Sequence, residues 1–337
     1  MSNVELNTEN KKKIYILALG GTISSIANKS TEEFYNHSSV DIKELILDLP
    51  FDKEKVTIIC EQILHKISHE ITHEDLLLVT RKVNELALND TIDGIVITQG
   101  TNSIEEVAYF TNLVIRTKKP IVFTGSFRPL NALGYDGSRN LYNAILIASS
   151  SEAIGIGVVL TFNDCIVNAR DACKLNPSLV GDFSINGSGI IGFVQSKGIY
   201  IQNITRHKHT YLSEFSIDEI SNFAKIYIIF GHIGMDSVFV KAAIANGAQG
   251  IISAGFGKGY QSKEVTKALV DASKHGVFVV RCSRTGQGII NREEKIDDEY
   301  GIIAGGSLSP QKSQMLLSVA LSKTQNKMEI QRIFEQY

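Results

Sequence analysis

The chain has 337 residues, which at about 150 residues per domain predicts two domains. Hydrophobic residues make up 43% and charged residues 21%, close to ordinary globular chains, which excludes a disordered or fibrous protein. Lys+Arg of 34 against Asp+Glu of 36 gives a net charge of −2. No broad cationic surface is then available for nucleic acid or an anionic membrane, and we expect a small molecule or another copy of the chain as partner.

The N-terminus and the cysteines both bear on location. No apolar run approaches the roughly 20 residues that span a bilayer, and the polar start lacks the apolar core of a secretory signal. The cysteines are scattered and form no CxxC pair, as is typical of reduced thiols: Cys60, Cys165, Cys173 and Cys282. We therefore expect a cytoplasmic protein.

Five short runs in the first half are apolar almost throughout, which predicts buried strands of a parallel sheet. They are Ile14–Leu19, Val56–Leu64, Gly94–Thr98, Ile121–Thr124 and Gly157–Thr161. Apolar residues at spacings of three and four predict helices after Thr72 and over Asp136–Ala148. Thr72-x-x-Asp75 has the pattern of a capping box for the first of these helices. The alternation predicts βαβ units in a mostly parallel sheet flanked by helices.

The helical period disappears between Cys165 and Thr210, where repeated glycines predict hairpins. The stretch His207–Ser221 is polar and shows no convincing core element. Alternation then resumes, with strands expected at Ile226–Phe230, Gly250–Ser253 and Val277–Arg281, and helices near Ser237–Asn246, Lys263–Lys274 and in two pieces over Gln311–Tyr337. We expect a larger N-terminal α/β domain over residues 1–206, a linker over 207–222, and a smaller C-terminal α/β domain over 223–337.

Two glycine–threonine turns follow buried strands. They read Gly20-Gly21-Thr22-Ile23 and Gln99-Gly100-Thr101-Asn102. Ligands of open parallel sheets bind beyond the carboxyl ends of the strands, and glycine lets backbone approach a ligand closely. Each turn taken alone is also explained as a helix cap, and Ser103-x-x-Glu106 has the pattern of a capping box.

Several blocks of the chain together resemble the signature segments of bacterial L-asparaginases and glutaminase-asparaginases. They are Ala18-Leu19-Gly20-Gly21-Thr22-Ile23, Ile97 to Glu106, Thr124-Gly125-Ser126-Phe127-Arg128-Pro129, Asp136-Gly137 with Asn140 to Ala144, Asn163-Asp164, Arg170-Asp171-x-x-Lys174, Ile252 to Gly255, and Ser283-Arg284. They occur in order from about residue 13 to the C-terminus.

The resemblance implies a two-domain α/β amidohydrolase that acts without a metal or other cofactor and assembles as a homotetramer of close dimers. It implies that Thr22 is the nucleophile and that Tyr35 belongs to the same mobile lid. It further implies that Thr101 pairs with Lys174, and that Ser68 receives the carboxylate of the substrate.

Each implied role has a physical reason. A threonine hydroxyl is a weak nucleophile and needs a neighbouring base, for which Tyr35 is a candidate. Lys174 becomes a base if burial disfavours its ammonium. Backbone N–H groups of the turns at Gly21 and Gly100 are placed to stabilise an oxyanion. A polar lid over residues 24–39 would exclude water.

The chain departs from the family pattern at several positions, and two of them bear on the substrate. Asn102 stands where the family has an aspartate that completes the lysine triad and binds the α-ammonium of the substrate, and His69 stands where a glutamine is usual. Burying an ammonium without a carboxylate partner is costly. One hypothesis is that the enzyme prefers an amide whose α-nitrogen is substituted or absent. Alternatively, the Asn102 amide suffices for asparagine, or the chain is a catalytically weak relic that binds small molecules.

A rival hypothesis comes from His69-Glu70-Ile71-Thr72-His73, which matches the H-E-x-x-H pattern of zinc peptidases. That pattern requires both histidines on one face of a continuous helix. The capping signal at Thr72 predicts instead that the helix begins there.

Overall fold

The computed structural model describes residues 11–31, 35–181, 183, 189–196 and 198–337, and for residues 35–39 it describes the backbone alone. Within this part of the chain, none of the helices combines the length and the apolar character required to cross a membrane.

Strands of the first two hundred residues form one large sheet and a small ribbon. The strands are β1 (Lys12–Ala18), β2 (Ser25–Ala27), β3 (Tyr35–Ser39), β4 (Val56–Gln62), β5 (Gly94–Thr98), β6 (Ile121–Thr124), β7 (Val158–Phe162), β8 (Cys165–Asn168), β9 (Ile190–Gln195) and β10 (Gly198–Ile201). Among the described residues the large sheet has eight strands, in the order β10-β9-β8-β7-β6-β5-β1-β4. The run from β4 to β7 is parallel, whereas β8, β9 and β10 pair antiparallel. Strands β2 and β3 pair separately as an antiparallel ribbon.

Helices cover both faces of this sheet. They are α1 (Ile42–Leu47), α2 (His73–Leu88), α3 (Ile104–Val114) and α4 (Gly137–Ser149). Leu17 of β1 packs in the cluster that contains the buried faces of α2 and α3, whereas its neighbour Ile16 packs in the cluster that contains α1 and α4. Because successive strand residues point to opposite faces, an apolar strand such as β1 contributes side chains to the hydrophobic cores on both faces of the sheet.

A second, parallel sheet is built from residues after 225. Its order is β11-β12-β13-β14. Its strands are β11 (Ile226–Phe230), β12 (Gly250–Gly255), β13 (Phe278–Ser283) and β14 (Ile303–Ala304), and the accompanying helices are α5 (Val238–Ala245), α6 (Lys263–Lys274), α7 (Pro310–Leu321) and α8 (Lys327–Gln336). The predicted fold class, a larger mostly parallel α/β sheet followed by a smaller α/β unit, is confirmed.

The polar stretch before this second sheet contradicts one expectation. Phe215, Ile217 and Ile220 are 1%, 0% and 3% exposed and belong to the core that also contains α2 and α3. The expectation that His207–Ser221 contributes nothing to the core is therefore wrong. These apolar residues stand singly among polar ones and show no helical period, although each one inserts into the core.

The strand order determines where a ligand site is expected. From β1 the chain passes to β4 on one side and then to β5 on the other side of β1. Such a reversal leaves a crevice at the carboxyl ends of the two strands that flank it, where ligands of open α/β sheets bind. The two glycine–threonine turns lie at this place, because one follows β1 and the other follows β5.

Candidate active site

The turns after β1 and β5 touch through their glycines. A Cβ atom added to Gly21 would lie 2.3 Å from the backbone nitrogen of Gly100, closer than real side chains come. Gly21 also has a φ of 88°, in the left-handed region that favours glycine. Thr22 and Thr101 directly follow these two glycines and are 8% and 5% exposed. The structure thus brings the two threonine-bearing turns together.

The turn that carries Thr22 is held by neighbouring hydroxyls. Thr22–Ser24 is a single 3-10 turn. Ser24 and Ser25 donate their hydroxyl hydrogens to the carbonyl of Gly21 at 3.3 and 2.9 Å. The hydroxyl of Tyr135 donates to the carbonyl of Ile23 at 2.7 Å. The backbone on both sides of Thr22 is therefore fixed by side chains from the turn itself and from the loop before α4.

The segment that follows Thr22 forms the β2–β3 ribbon. In it the backbone of Tyr35 pairs with that of Ala27, and the amide of Asn131 both donates to and accepts from the Ala27 backbone at 2.8 Å. The side chain of Tyr35 lies outside the described residues, as do residues 32–34 of the expected 24–39 lid. The ribbon returns the chain toward the turn, because Ser25 at its base pairs with Ser39.

Lys174 reaches the second threonine. Its Nζ donates to Thr101 Oγ1 at 2.8 Å and to the side-chain oxygen of Asn102 at 3.0 Å. The ammonium lies 5.3 Å from the centre of the Phe127 ring. Burial lowers the pKa of Lys174 from its usual value because the charged form is poorly solvated there. The arrangement places a lysine with a weakened preference for its proton in contact with a threonine hydroxyl.

The loop that carries Lys174 is anchored from two directions. The backbone N–H of Lys174 donates to the carboxylate of Glu105, at the start of α3, at 2.7 Å. The ammonium of Lys312, on α7, donates to the backbone carbonyls of Arg170 (2.8 Å) and Ala172. Glu105 and Lys312 are 6% and 1% exposed, so both anchors are buried.

Ser68 lies at the junction of two loops. Its hydroxyl oxygen accepts from the backbone N–H of Asn102 at 3.0 Å, and its carbonyl accepts from the hydroxyl of Ser103 at 2.5 Å. A Cβ on Gly100 would lie 2.8 Å from the Ser68 hydroxyl, so glycine is required there too. The capping box expected at Ser103 does not form, because the Ser103 hydroxyl binds Ser68 instead. Ser68 is 2% exposed, and within the described part of the chain its hydroxyl hydrogen is not used in a hydrogen bond.

Asn102 connects Lys174 to His69. Its side-chain nitrogen lies 3.3 Å from Nδ1 of the His69 ring. Both residues are exposed, so the pair forms a wall of the crevice rather than part of the core. Asn102 and His69, which the sequence analysis considered together, are therefore direct neighbours in space.

The zinc-peptidase hypothesis is contradicted by the helix boundary. Ser68–Glu70 is a separate 3-10 turn, and α2 begins only at His73, with the expected Thr72–Asp75 capping box in place. His69 and His73 are therefore not on one helix, and His73 stacks on Phe223 at 4.2 Å between ring centres. Among the described residues, no three His, Cys, Asp or Glu side chains are grouped in a way that suits a metal ion.

Sequence reasoning missed the residues that support Lys174. Phe127 and Glu105 both lie in blocks that carry the family resemblance, but nothing in their spacing indicates a contact with a residue some fifty to seventy positions away. Lys312 lies in the stretch Gln311–Tyr337, for which only two helices were predicted. The signal for this contact was a lysine between Gln311 and Ser313, at a position that α7 buries.

Comparisons with known proteins identify the family to which both parts of the chain are similar. Residues 13–206 match the family described as Asparaginase, N-terminal, and residues 225–334 match Glutaminase/Asparaginase C-terminal domain. L-asparaginase 2 of Bacillus subtilis (strain 168) is 38% identical over 325 residues, covering 96% of this chain and 86% of that protein. A glutaminase-asparaginase of Pseudomonas fluorescens biotype A is 39% identical over 340 residues, covering 99% and 93%.

A solved structure extends the comparison to the fold. The probable cytoplasmic L-asparaginase of Campylobacter jejuni superposes with a TM-score of 0.92 at 33% sequence identity, covering 97% of this chain and all of that one. The match therefore includes both sheets and the crevice between β1 and β5. On these grounds the chain belongs to the asparaginase family.

Proposed function

We propose that this protein hydrolyses the side-chain amide of asparagine, or of an asparagine-like amide, to the carboxylate and ammonia. Relatives named L-asparaginase and glutaminase-asparaginase support amidohydrolase chemistry. The single observation that carries the proposal is the 2.8 Å contact between Lys174 and Thr101, placed beside the glycine contact that holds the Thr22 turn.

Thr22 is the proposed nucleophile. Its hydroxyl oxygen forms a bond to the amide carbon while its proton passes to a base, for which we propose the deprotonated phenolate of Tyr35. The tetrahedral intermediate then breaks its C–N bond, and the nitrogen takes up a proton and leaves as ammonia. Water hydrolyses the remaining ester and restores Thr22. A covalent intermediate divides one difficult step into two easier ones.

Lys174 is the proposed base of the second pair, acting through the hydroxyl of Thr101. A base must hold its proton weakly, and burial lowers the pKa of Lys174. Ser68 is proposed to bind the carboxylate of the substrate, because its remaining hydroxyl hydrogen is a donor. Backbone N–H groups near Thr22 and Thr101 are proposed to stabilise the oxyanion of the tetrahedral intermediate.

Asn102 and His69 are proposed to set preference at the α-nitrogen of the substrate. An aspartate would neutralise an α-ammonium, whereas the Asn102 amide carries no charge. We therefore propose that an amide whose α-nitrogen is substituted or absent is a better substrate than free asparagine. The alternative, that the amide of Asn102 suffices for free asparagine, predicts the opposite order of substrates.

Ammonia release tests the function directly. We expect the protein to release ammonia from at least one of asparagine, glutamine, N-acetyl-L-asparagine and succinamate. Thr22→Ala should reduce that rate by at least about 10³-fold, because removal of a nucleophile leaves only binding and oxyanion stabilisation. Thr117→Ala, which removes a threonine hydroxyl from the loop after α3, is the matched control and should keep the full rate.

Two outcomes would contradict the proposal. Ammonia release that survives in Thr22→Ala would place the nucleophile elsewhere. No release from any of the four amides, with binding of one of them still measurable, would favour the small-molecule binding protein.

Assembly, location and domain division are part of the same proposal. We propose a homotetramer, built as a dimer of dimers. Exposed apolar side chains at β11 and α5 support burial against another copy: Phe230, Ile233, Val238 and Phe239.

We propose a cytoplasmic location, which the description of the Campylobacter jejuni protein supports, although a relative in Haemophilus influenzae is named periplasmic. We propose an N-terminal domain over 1–206 and a C-terminal domain over 223–337, joined by 207–222.

A further inference from the structure

The side chain of Asn102 is oriented by Lys174. The Lys174 Nζ donates to the side-chain oxygen of Asn102 at 3.0 Å. An ammonium has only donors, and a neutral amine whose lone pair is directed at Thr101 still has N–H groups for Asn102. The Asn102 amide nitrogen, which has only donors, therefore lies on the opposite side. That side faces the ring of His69.

The orientation of Asn102 in turn determines the tautomer of His69. The Asn102 nitrogen lies 3.3 Å from Nδ1 of His69, and because it donates, Nδ1 must accept with a lone pair. A neutral imidazole that accepts at Nδ1 carries its proton on Nε2. The exposed ring therefore presents an Nε2–H donor at the wall of the crevice.

An aspartate at position 102 would have the opposite effect. A carboxylate only accepts, so it would favour a proton on Nδ1 of His69, and Nε2 would then be a lone pair or part of an imidazolium. Asn102 and His69 thus act together, since a donating amide at position 102 places the single ring proton of a neutral imidazole on Nε2.

The donors at this wall define the group that binds there. Ser68 keeps a hydroxyl hydrogen, and Asn102 and His69 both present N–H groups, while one lone pair of the Asn102 oxygen is already taken by Lys174. An ammonium is itself only a donor and finds little to accept its hydrogens here. A carbonyl or carboxylate oxygen is complementary to these groups.

We propose that His69, held as the neutral Nε2–H tautomer by the Lys174–Asn102–His69 chain, is a specificity-determining residue that donates to an oxygen on a substituent of the substrate's α-nitrogen. The substrate class is N-acylated asparagine. This inference rests on the proposed function, because Ser68 must hold the carboxylate for the α-nitrogen to lie next to this wall.

The tautomer is measured independently of activity. Protein with ¹⁵N-labelled histidine should show His69 protonated at Nε2 and unprotonated at Nδ1 when measured at a pH high enough for imidazole to be neutral, with the His69→Gln variant identifying the signal. Asn102→Asp should move the proton to Nδ1 or to both nitrogens. A His69 ring protonated at Nδ1 in the unaltered protein would overturn the proposal, whatever amide the enzyme hydrolyses.

The specificity is measured as a ratio of kcat/KM for N-acetyl-L-asparagine to kcat/KM for succinamate, which has no α-nitrogen. His69→Phe removes the donor and should lower this ratio about 5- to 10-fold, the effect expected for one neutral hydrogen bond. His69→Gln keeps an N–H donor and should retain most of the ratio. His275→Phe, at an exposed histidine that ends α6, should leave it unchanged.

Asn102→Asp should shift preference from N-acetyl-L-asparagine toward free L-asparagine. An equal ratio in His69→Phe and the unaltered protein overturns the role of His69. If the proposed function is wrong, ammonia release is absent or does not depend on Thr22. The tautomer of His69 can still be measured in that case.

Discussion

Lys174 shows how burial prepares one side chain for proton transfer. Desolvation lowers its pKa, so its neutral amine is populated at a lower pH than that of a solvent-exposed lysine, near 10.4. Only the neutral amine accepts a proton. A rate that depends on this amine must therefore rise with pH and level off once the pH exceeds the lowered pKa.

Lys174→Arg tests this role. A guanidinium keeps the positive charge and the donors but does not deprotonate in proteins. We expect the rate of ammonia release to fall by about 10²- to 10⁴-fold, the usual contribution of general acid–base catalysis, and its rising limb with pH to disappear. Lys267→Arg, an exposed position on α6, is the control. A Lys174→Arg variant that keeps the limb would assign the titration to another group.

For individual residues, the sequence predicts which residues form the site but not which of them are in contact. Thr22, Thr101 and Lys174 were named from the resemblance, and the structure supplies the contact between Lys174 and Thr101. The pairing of Asn102 with His69 was not predicted. It depends on how a loop before α2 meets a loop before α3, and a gap of 33 residues between them leaves no periodic signal.

Helix α3 links the crevice to the core. It begins directly after Thr101-Asn102-Ser103, and its first turn carries Glu105 and Glu106. Burial, with repulsion from Glu105 as a smaller cause, raises the pKa of Glu106 to about 7. The usual value for a glutamate is about 4.3, so the folded protein favours the protonated form of this side chain.

Glu106→Gln should change how stability depends on pH. Because the folded pKa is raised, the stabilising contribution of the protonated carboxyl is complete below the unfolded pKa and is lost as the pH rises through about 7. Relative to the unaltered protein, the variant should gain about 2 kcal/mol in free energy of unfolding between pH 5 and pH 8.5. Denaturant titration at the two pH values measures this, with the exposed Glu152→Gln as control. Parallel pH dependences of variant and parent would contradict it.

The presence of a helix or strand was more predictable than its first and last residues or the element it pairs with. The apolar runs of β5 and β6 were predicted to the residue, because strands buried on both faces are apolar throughout. The helical period of α2 and its capping box at Thr72 were also confirmed. The β2–β3 ribbon was not predicted as strands, because it is short, polar and without alternation.

At the scale of the whole molecule, residues from the C-terminal part of the chain hold the loop that carries Lys174. The guanidinium of Arg170 donates to the Tyr337 carbonyl at 2.8 Å and to the Ser307 hydroxyl at 3.0 Å. Both partners come from the C-terminal part of the chain. Lys312 adds contacts to the carbonyls of Arg170 and Ala172 from α7. The second sheet and its helices therefore support the position of a side chain that reaches into the first sheet's crevice.

Lys312→Met is the sharpest test of that support. Methionine keeps the apolar stem, but leaves the two carbonyls without their donor. We expect the free energy of unfolding to fall by about 1–3 kcal/mol. We also expect kcat to fall several-fold at temperatures where the variant is fully folded, because Lys174 loses part of its positioning while Ser68 and its neighbours are untouched. KM should change less than kcat. Lys267→Met, at an exposed lysine on α6, should alter neither property. A folded Lys312→Met variant with full kcat would show that the loop keeps its geometry without the second sheet's helix, and that Lys312 contributes to stability alone.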